Sequence, residues 1–117
     1  MSETVVTADA DSVSRGVALF LSRMLEDPLV NWTFEGVDHE RLQQHAFAFV
    51  IAALGGPDLY MGRDLRVVHQ RFKLTNKHYD AAVEHLVRSL RDAGISDGVL
   101  AELAIRLEPL RGQIVGT

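Results

Sequence analysis

The chain has 117 residues, 47% of them hydrophobic and 24% charged, no cysteine, and a formal net charge of −4. These figures describe one globular domain with a single core, and they exclude disulfides, thiolate metal sites and a cysteine nucleophile. The basic residues are scattered, so no nucleic-acid stripe is expected. No basic-then-apolar leader opens the chain and no apolar run approaches the ~18 residues of a membrane span; the absence of cysteine suits a reducing cytoplasm.

Residues 1–10 are small and polar, without periodicity, and read as a frayed terminus; the folded domain is expected over 11–117. Asp11 or Ser12 can cap a first helix over roughly 12–26, where Val13, Val17, Phe20, Leu21, Met24 and Leu25 recur at helical spacing. Asp27-Pro28 ends it. The connector Leu29–Phe34 is apolar, and Trp32 in it is expected to fill the core.

Asp38 caps a second helix over roughly 39–54, with Leu42, His45, Ala46, Phe49, Val50 and Ala53 on one face. Phe47 falls on another face and should pack on neighbouring helices. Gly55-Gly56-Pro57 stops the helix, and a loop then leads to a short helix over roughly 64–71 with Leu65, Val68, His69 and Phe72. Thr75 caps a long helix with Tyr79, Val83, Leu86, Val87 and Leu90 inward, ended by Gly94. Ser96 caps the last helix, with Val99, Leu100, Leu103, Leu107 and Leu110 inward; Pro109 should kink it near its end. No strand, repeat or low-complexity tract is apparent, so the expected fold is all-α, five main helices in two packed layers.

Two histidines stand out. His45 lies within an apolar helical run and His69 on the short helix beyond the Gly-Gly-Pro stop. Imidazoles on two helices facing an apolar slot could hold a planar metal cofactor from both sides. A chain of this length has little volume to spare for an empty cavity, so a cofactor is a sensible filler.

The blocks Phe20, Arg23–Leu29, Phe34–Asp38, Arg41-Leu42, Ala52–Pro57, Tyr60, Gly62-Arg63, Val68-His69, Leu74-Thr75 and His78–Asp80, in this order and spacing, resemble a truncated haemoglobin of group I over about residues 12–114. The resemblance implies a shortened globin, a two-over-two helical sandwich around haem b. By position His69 matches the proximal iron ligand. Phe34 matches the aromatic against the macrocycle, and Leu42, His45, Ala46, Phe49 and Val50 match the helix over the distal face. Tyr60, Leu65, Val68, Leu74 and Tyr79 match haem-lining positions. Arg41, Arg63 and Arg66 are propionate candidates by charge. His39 is expected to be solvated, and His78 and His85 to be exposed or half-exposed helix residues. His45 either ligates iron as the sixth ligand or reaches a propionate, and both remain open here.

The departures from the family pattern matter equally. Thr7–Ala10 stands where the family usually has a Gly-Gly pair, so the usual first helix is reduced or missing. Leu21 replaces the distal tyrosine and Ala46 the distal glutamine, so the polar cage for iron-bound oxygen is absent. The resemblance therefore implies binding of O2, NO or CO, with iron redox or NO/peroxide chemistry favoured over O2 transport. It leaves open whether the chain turns over as a nitric oxide dioxygenase or a peroxidase-like enzyme. It is compatible with a reductase partner and with a monomer or weak homodimer. The rival readings are a non-catalytic haem module (a gas or redox sensor, or a haem store) and a helical interaction domain that has lost haem.

Overall fold

The computed structural model describes residues 9–55 and 73–115. Among them are four helices of more than two turns and no strand: α1 Ala10–Glu26, α2 His39–Ala53, α3 Asn76–Asp92 and α4 Asp97–Leu107. A 3-10 turn, Asn31–Phe34, joins α1 to α2. After α4 the chain tightens into a second 3-10 turn, Glu108–Leu110, and a short helical turn, Arg111–Ile114. Pro109 sits at the start of that tightening, as its missing N–H and fixed φ require. The expected helix over 64–71, and any reduction of a first helix over residues 1–8, lie outside the described residues.

Each helix begins where a short polar side chain can take up free N–H groups. For α1 the cap is Asp9, whose carboxylate accepts from the Asp11 N–H at 3.1 Å and the Ser12 hydroxyl at 3.2 Å. This corrects the expected cap at Asp11 or Ser12: the helix starts about two residues earlier, at Ala10, because Asp9 is free to bond back while both later residues are already helical. Asp38 caps α2 through Glu40 and Arg41, and Ser96 caps α4 through Val99. Thr75 caps α3 in a reciprocal box: its hydroxyl accepts from the His78 N–H, and the His78 Nδ1 accepts the Thr75 N–H at 2.9 Å.

The core is built on α1 against α3, the most extensive helix pair, with α2 and α4 packed on them. Val13, Val17, Leu21 and Met24 of α1 are buried, as are Tyr79, Leu86 and Leu90 of α3 and Leu100, Leu103 and Leu107 of α4. Gly16 lets α1 and α3 close in: a Cβ there would lie 2.5 Å from Leu90 Cδ2 and 3.0 Å from its Cα. Arg23 bridges the same pair, donating to the buried Ser89 hydroxyl at 3.0 Å and to Asp92 at 2.7 Å. Two expected core residues lie elsewhere. Leu25, on the side of α1 toward α2, is left 36% exposed, and Trp32 is 40% exposed because its indole N–H turns back to the Leu29 carbonyl, at 2.8 Å. No helix among the described residues is long and apolar enough to cross a membrane.

Candidate functional site

One cavity of about 230 Å³ opens between α1, the 3-10 turn and α2. Ala18, Leu21, Leu25, Phe34 and Leu42 form its apolar wall, and Ser22, His39 and Gln43 lie on its polar side. Three of the expected site residues, Leu21, Phe34 and Leu42, are thus brought together from three elements. The volume falls short of the ~300–1,000 Å³ of complete ligand pockets, so these residues supply one side of a site.

The helix that faces this space is unusually bare. Of α2's 15 residues only Val50 is buried. Leu42, Ala46 and Phe49, on the same face, are only half-buried, although all three pack on the edge of the core. His45 stands exposed on that helix, one residue before Ala46, and Arg41 is exposed one turn earlier. α2 is held at its far end by α4, where the Arg106 guanidinium donates to the Ala53 carbonyl at 3.2 Å. Gly55 then takes φ +90°, a conformation that glycine adopts without strain and that turns the chain away.

Leu74 and Tyr79 are buried at the start of α3 and do not line this cavity. The Tyr79 hydroxyl donates to the Leu107 carbonyl, and its ring lies under the Arg111 guanidinium, 4.6 Å from the charge. Burial pushes the Tyr79 phenol up from its ordinary pKa. Arg111 also binds Glu108 at 2.9 Å and Asp80 at 2.7 Å, hydrogen bonds that raise its pKa, while its hydrogen bond to Glu108 holds that carboxyl below the usual range. This cluster clamps the C-terminal turns onto α3. Tyr60, Leu65, Val68, His69, Arg63 and Arg66 lie outside the described residues. Among those described, no three histidine or carboxylate side chains converge as a metal-binding group.

His39 is exposed as expected, yet it lines the cavity. His78 and His85 are half-buried, within the expected range, but both have specific partners that the helical pattern alone did not show. The His85 Nε2–H donates to Asp27 Oδ2 at 2.8 Å. Asp27 also caps the start of the connector, accepting the Leu29 N–H at 3.0 Å. The His85 hydrogen bond, followed by that of Leu29, holds the Asp27 carboxyl below its ordinary pKa. The ring of His78 meets that of Trp32 edge to face, 5.8 Å between centroids. The spacing of the two histidines, seven residues on one helix, was the available signal.

A model of the bacterial-like globin family matches residues 8–115. A group 1 truncated haemoglobin of Tetrahymena pyriformis is 30% identical over 106 residues, 91% of this chain and 88% of that protein. The crystal structure of the truncated haemoglobin from that organism in its Fe(III) form superposes with a TM-score of 0.85 at 30% identity, covering 92% of each chain. The 2/2 haemoglobin of a Synechococcus species, solved in the cyanomet state with covalently attached haem, gives 0.84 at 30% identity over 92% of this chain and 93% of that one.

Proposed function

The chain belongs to the bacterial-like globin family, with the group 1 truncated haemoglobins among its relatives, and from that premise we propose that it binds haem and, at its iron, diatomic gases. The observation that supports this reading is the half-covered apolar face of α2 over a cavity walled by Leu21, Phe34 and Leu42. A planar apolar group would cover that face and complete the site. The donor chemistry fits as well: apolar walls for a macrocycle, and an exposed arginine, Arg41, and histidine, His39, for its carboxylates. The chain has no cysteine, so a thioether link is excluded and haem b is the form proposed.

When bound, haem supplies reversible gas binding and one-electron redox chemistry. The protein's part is to hold and shield. His69 is proposed as the proximal ligand, orienting a group otherwise gripped by non-directional apolar contacts. Leu21, Phe34, Leu42, Ala46 and Phe49 exclude water and offer no hydrogen bond. His45 is proposed as the sixth ligand. It is exposed in this structure, so ligation requires its side chain to turn inward, and the small Ala46 beside it leaves room. With His45 in that role, a gas would bind only where His45 is turned away, and its apparent affinity would be lower by the fraction of open sites. This suits NO or peroxide chemistry, with electrons from a reductase, better than O2 transport.

The test is the visible spectrum of the full chain titrated with haem. A low-spin six-coordinate ferric spectrum is expected, converting to high-spin in His45→Leu with faster carbon monoxide binding. His69→Ala should lose tight haem binding while staying helical. Haem retention in His69→Ala would remove His69 from the iron, and an unchanged low-spin spectrum in His45→Leu would remove His45. No haem uptake by the wild type would refute the function.

A further inference from the structure

The connector between α1 and α2 carries Phe34 into the cavity wall, and two of the side chains that fix it, His85 and His78, come from α3. At its start, Asp27 divides its carboxylate: Oδ1 accepts the Leu29 N–H at 3.0 Å and Oδ2 accepts from His85 Nε2 at 2.8 Å. The side chains of that pair are 19% and 26% exposed, shielded enough for the contact to hold its geometry. The Asp27 carbonyl accepts the Val30 and Asn31 N–H groups at 3.0 and 2.8 Å, so whatever fixes Asp27 fixes the turn. Further on, the Trp32 ring rests on His78 at 73° between planes, with its N–H on Leu29. Two residues later comes Phe34.

The two imidazoles are two helical turns apart and so project from one stripe of α3. Their neighbours also place their protons. A carboxylate can only accept, so His85 donates from Nε2. Its Nδ1 is buried, with no hydrogen-bond partner among the described residues. The Thr75 N–H occupies His78 Nδ1, and that bond fixes the plane the ring presents to Trp32.

We propose that His78 and His85 are positioning residues for the pocket wall: from one stripe of α3 they hold the 27–34 connector at both ends and so set Phe34 against the cavity. The assignment rests on the haem reading only for what that wall faces. Glutamine separates each role from its alternative. In His85→Gln an amide N–H replaces the imidazole donor to Asp27. In His78→Gln the capping box survives, since glutamine is a natural partner in it, but the ring is gone.

The experiment is amide hydrogen exchange and aromatic NMR on the full chain, with and without haem. His85→Leu should speed exchange at Leu29 and Val30 roughly tenfold, the loss expected for one part-buried hydrogen bond, and should move the Phe34 ring resonances. Leu90 and Leu103 in the core should stay protected, and His85→Gln should restore the wild-type pattern. His78→Gln should leave the first turn of α3 protected while altering the fluorescence of Trp32, the chain's one tryptophan. If His85→Leu does not fold, Asp27→Asn tests the same contact from the other side. Unchanged exchange at the connector would overturn the proposal, and so would an unmoved Phe34 or loosening of the core equal to that of the connector. Because the exchange pattern is read without haem, failure to bind haem would refute the function and leave this result intact.

Discussion

The α1–α3 interface and the inner face of α2 are made of similar residues and end in opposite states. At the interface Val13, Val17, Leu90 and Ser89 are fully buried, Gly16 admits nothing larger than a hydrogen, and the polar Ser89 is satisfied by Arg23. On α2, a helix with Leu42, Ala46, Phe49 and Val50 on one face, only Val50 is buried. Apolar area left half in water is a cost that a single-domain protein removes when it can. The difference marks the first region as a finished core and the second as the face that the proposed haem would cover.

The largest expected effect breaks the first region. Leu90→Ala leaves a cavity in a site that cannot collapse, because Gly16 already brings the α1 backbone against it, and should cost ~2–5 kcal/mol. Leu42→Ala, at a half-covered position, should cost less than about 1.5 kcal/mol in the haem-free chain while weakening haem binding. Urea unfolding of both variants, with and without haem, checks this. Equal losses without haem would show that α2's face is as closed as the core.

A smaller effect sharpens the second region. Leu21 and Ala46 lack hydrogen-bonding groups, so a bound O2 should leave or autoxidise quickly. Leu21→Tyr with Ala46→Gln should slow O2 release by an amount worth ~1–3 kcal/mol, since a polar ligand in an apolar site gains most from a new donor. Stopped-flow release rates that do not change would show that neither position faces the ligand.

The same contrast explains what could be read from the chain alone. Helices with a strong apolar period, such as Val13–Val17–Leu21–Met24 and Leu86–Leu90, were legible because burial follows spacing. The group I truncated haemoglobin resemblance was legible from the order of the blocks. Leu21, Phe34 and Leu42, which it singles out, line one cavity in the structure. Asp9 was missed as a cap because capping depends on where the chain enters the helix, and periodicity does not record that. Trp32 was expected in the core because it is large and apolar; its N–H found a carbonyl three residues back and left the ring half outside. His78 and His85 looked like ordinary helix residues because their partners, Trp32 and Asp27, lie 46 and 58 positions away in sequence. Contacts of that range depend on how α1 and α3 pack, which no local pattern specifies.

The smallest expected effect lies at the corner where the two regions meet. Asp27 closes α1 and opens the connector, and hydrogen bonds from His85 and then from the Leu29 N–H hold its carboxyl below the ordinary range. The folded chain therefore keeps Asp27 ionised at pH values where the unfolded chain has begun to protonate it. The stability this supplies is complete above the unfolded pKa of about 3.9 and is lost as pH falls through the lower, folded value. Asp27→Asn keeps the shape and removes the titration. The wild type should be the more stable of the two near pH 6, and the gap should narrow as the pH falls below the unfolded value toward the lower, folded one. Equal stability of the two proteins at pH 6 and throughout the acid range would mean that the corner is held by backbone turns alone, and that the carboxylate between His85 and Leu29 contributes nothing to keeping Phe34 in place.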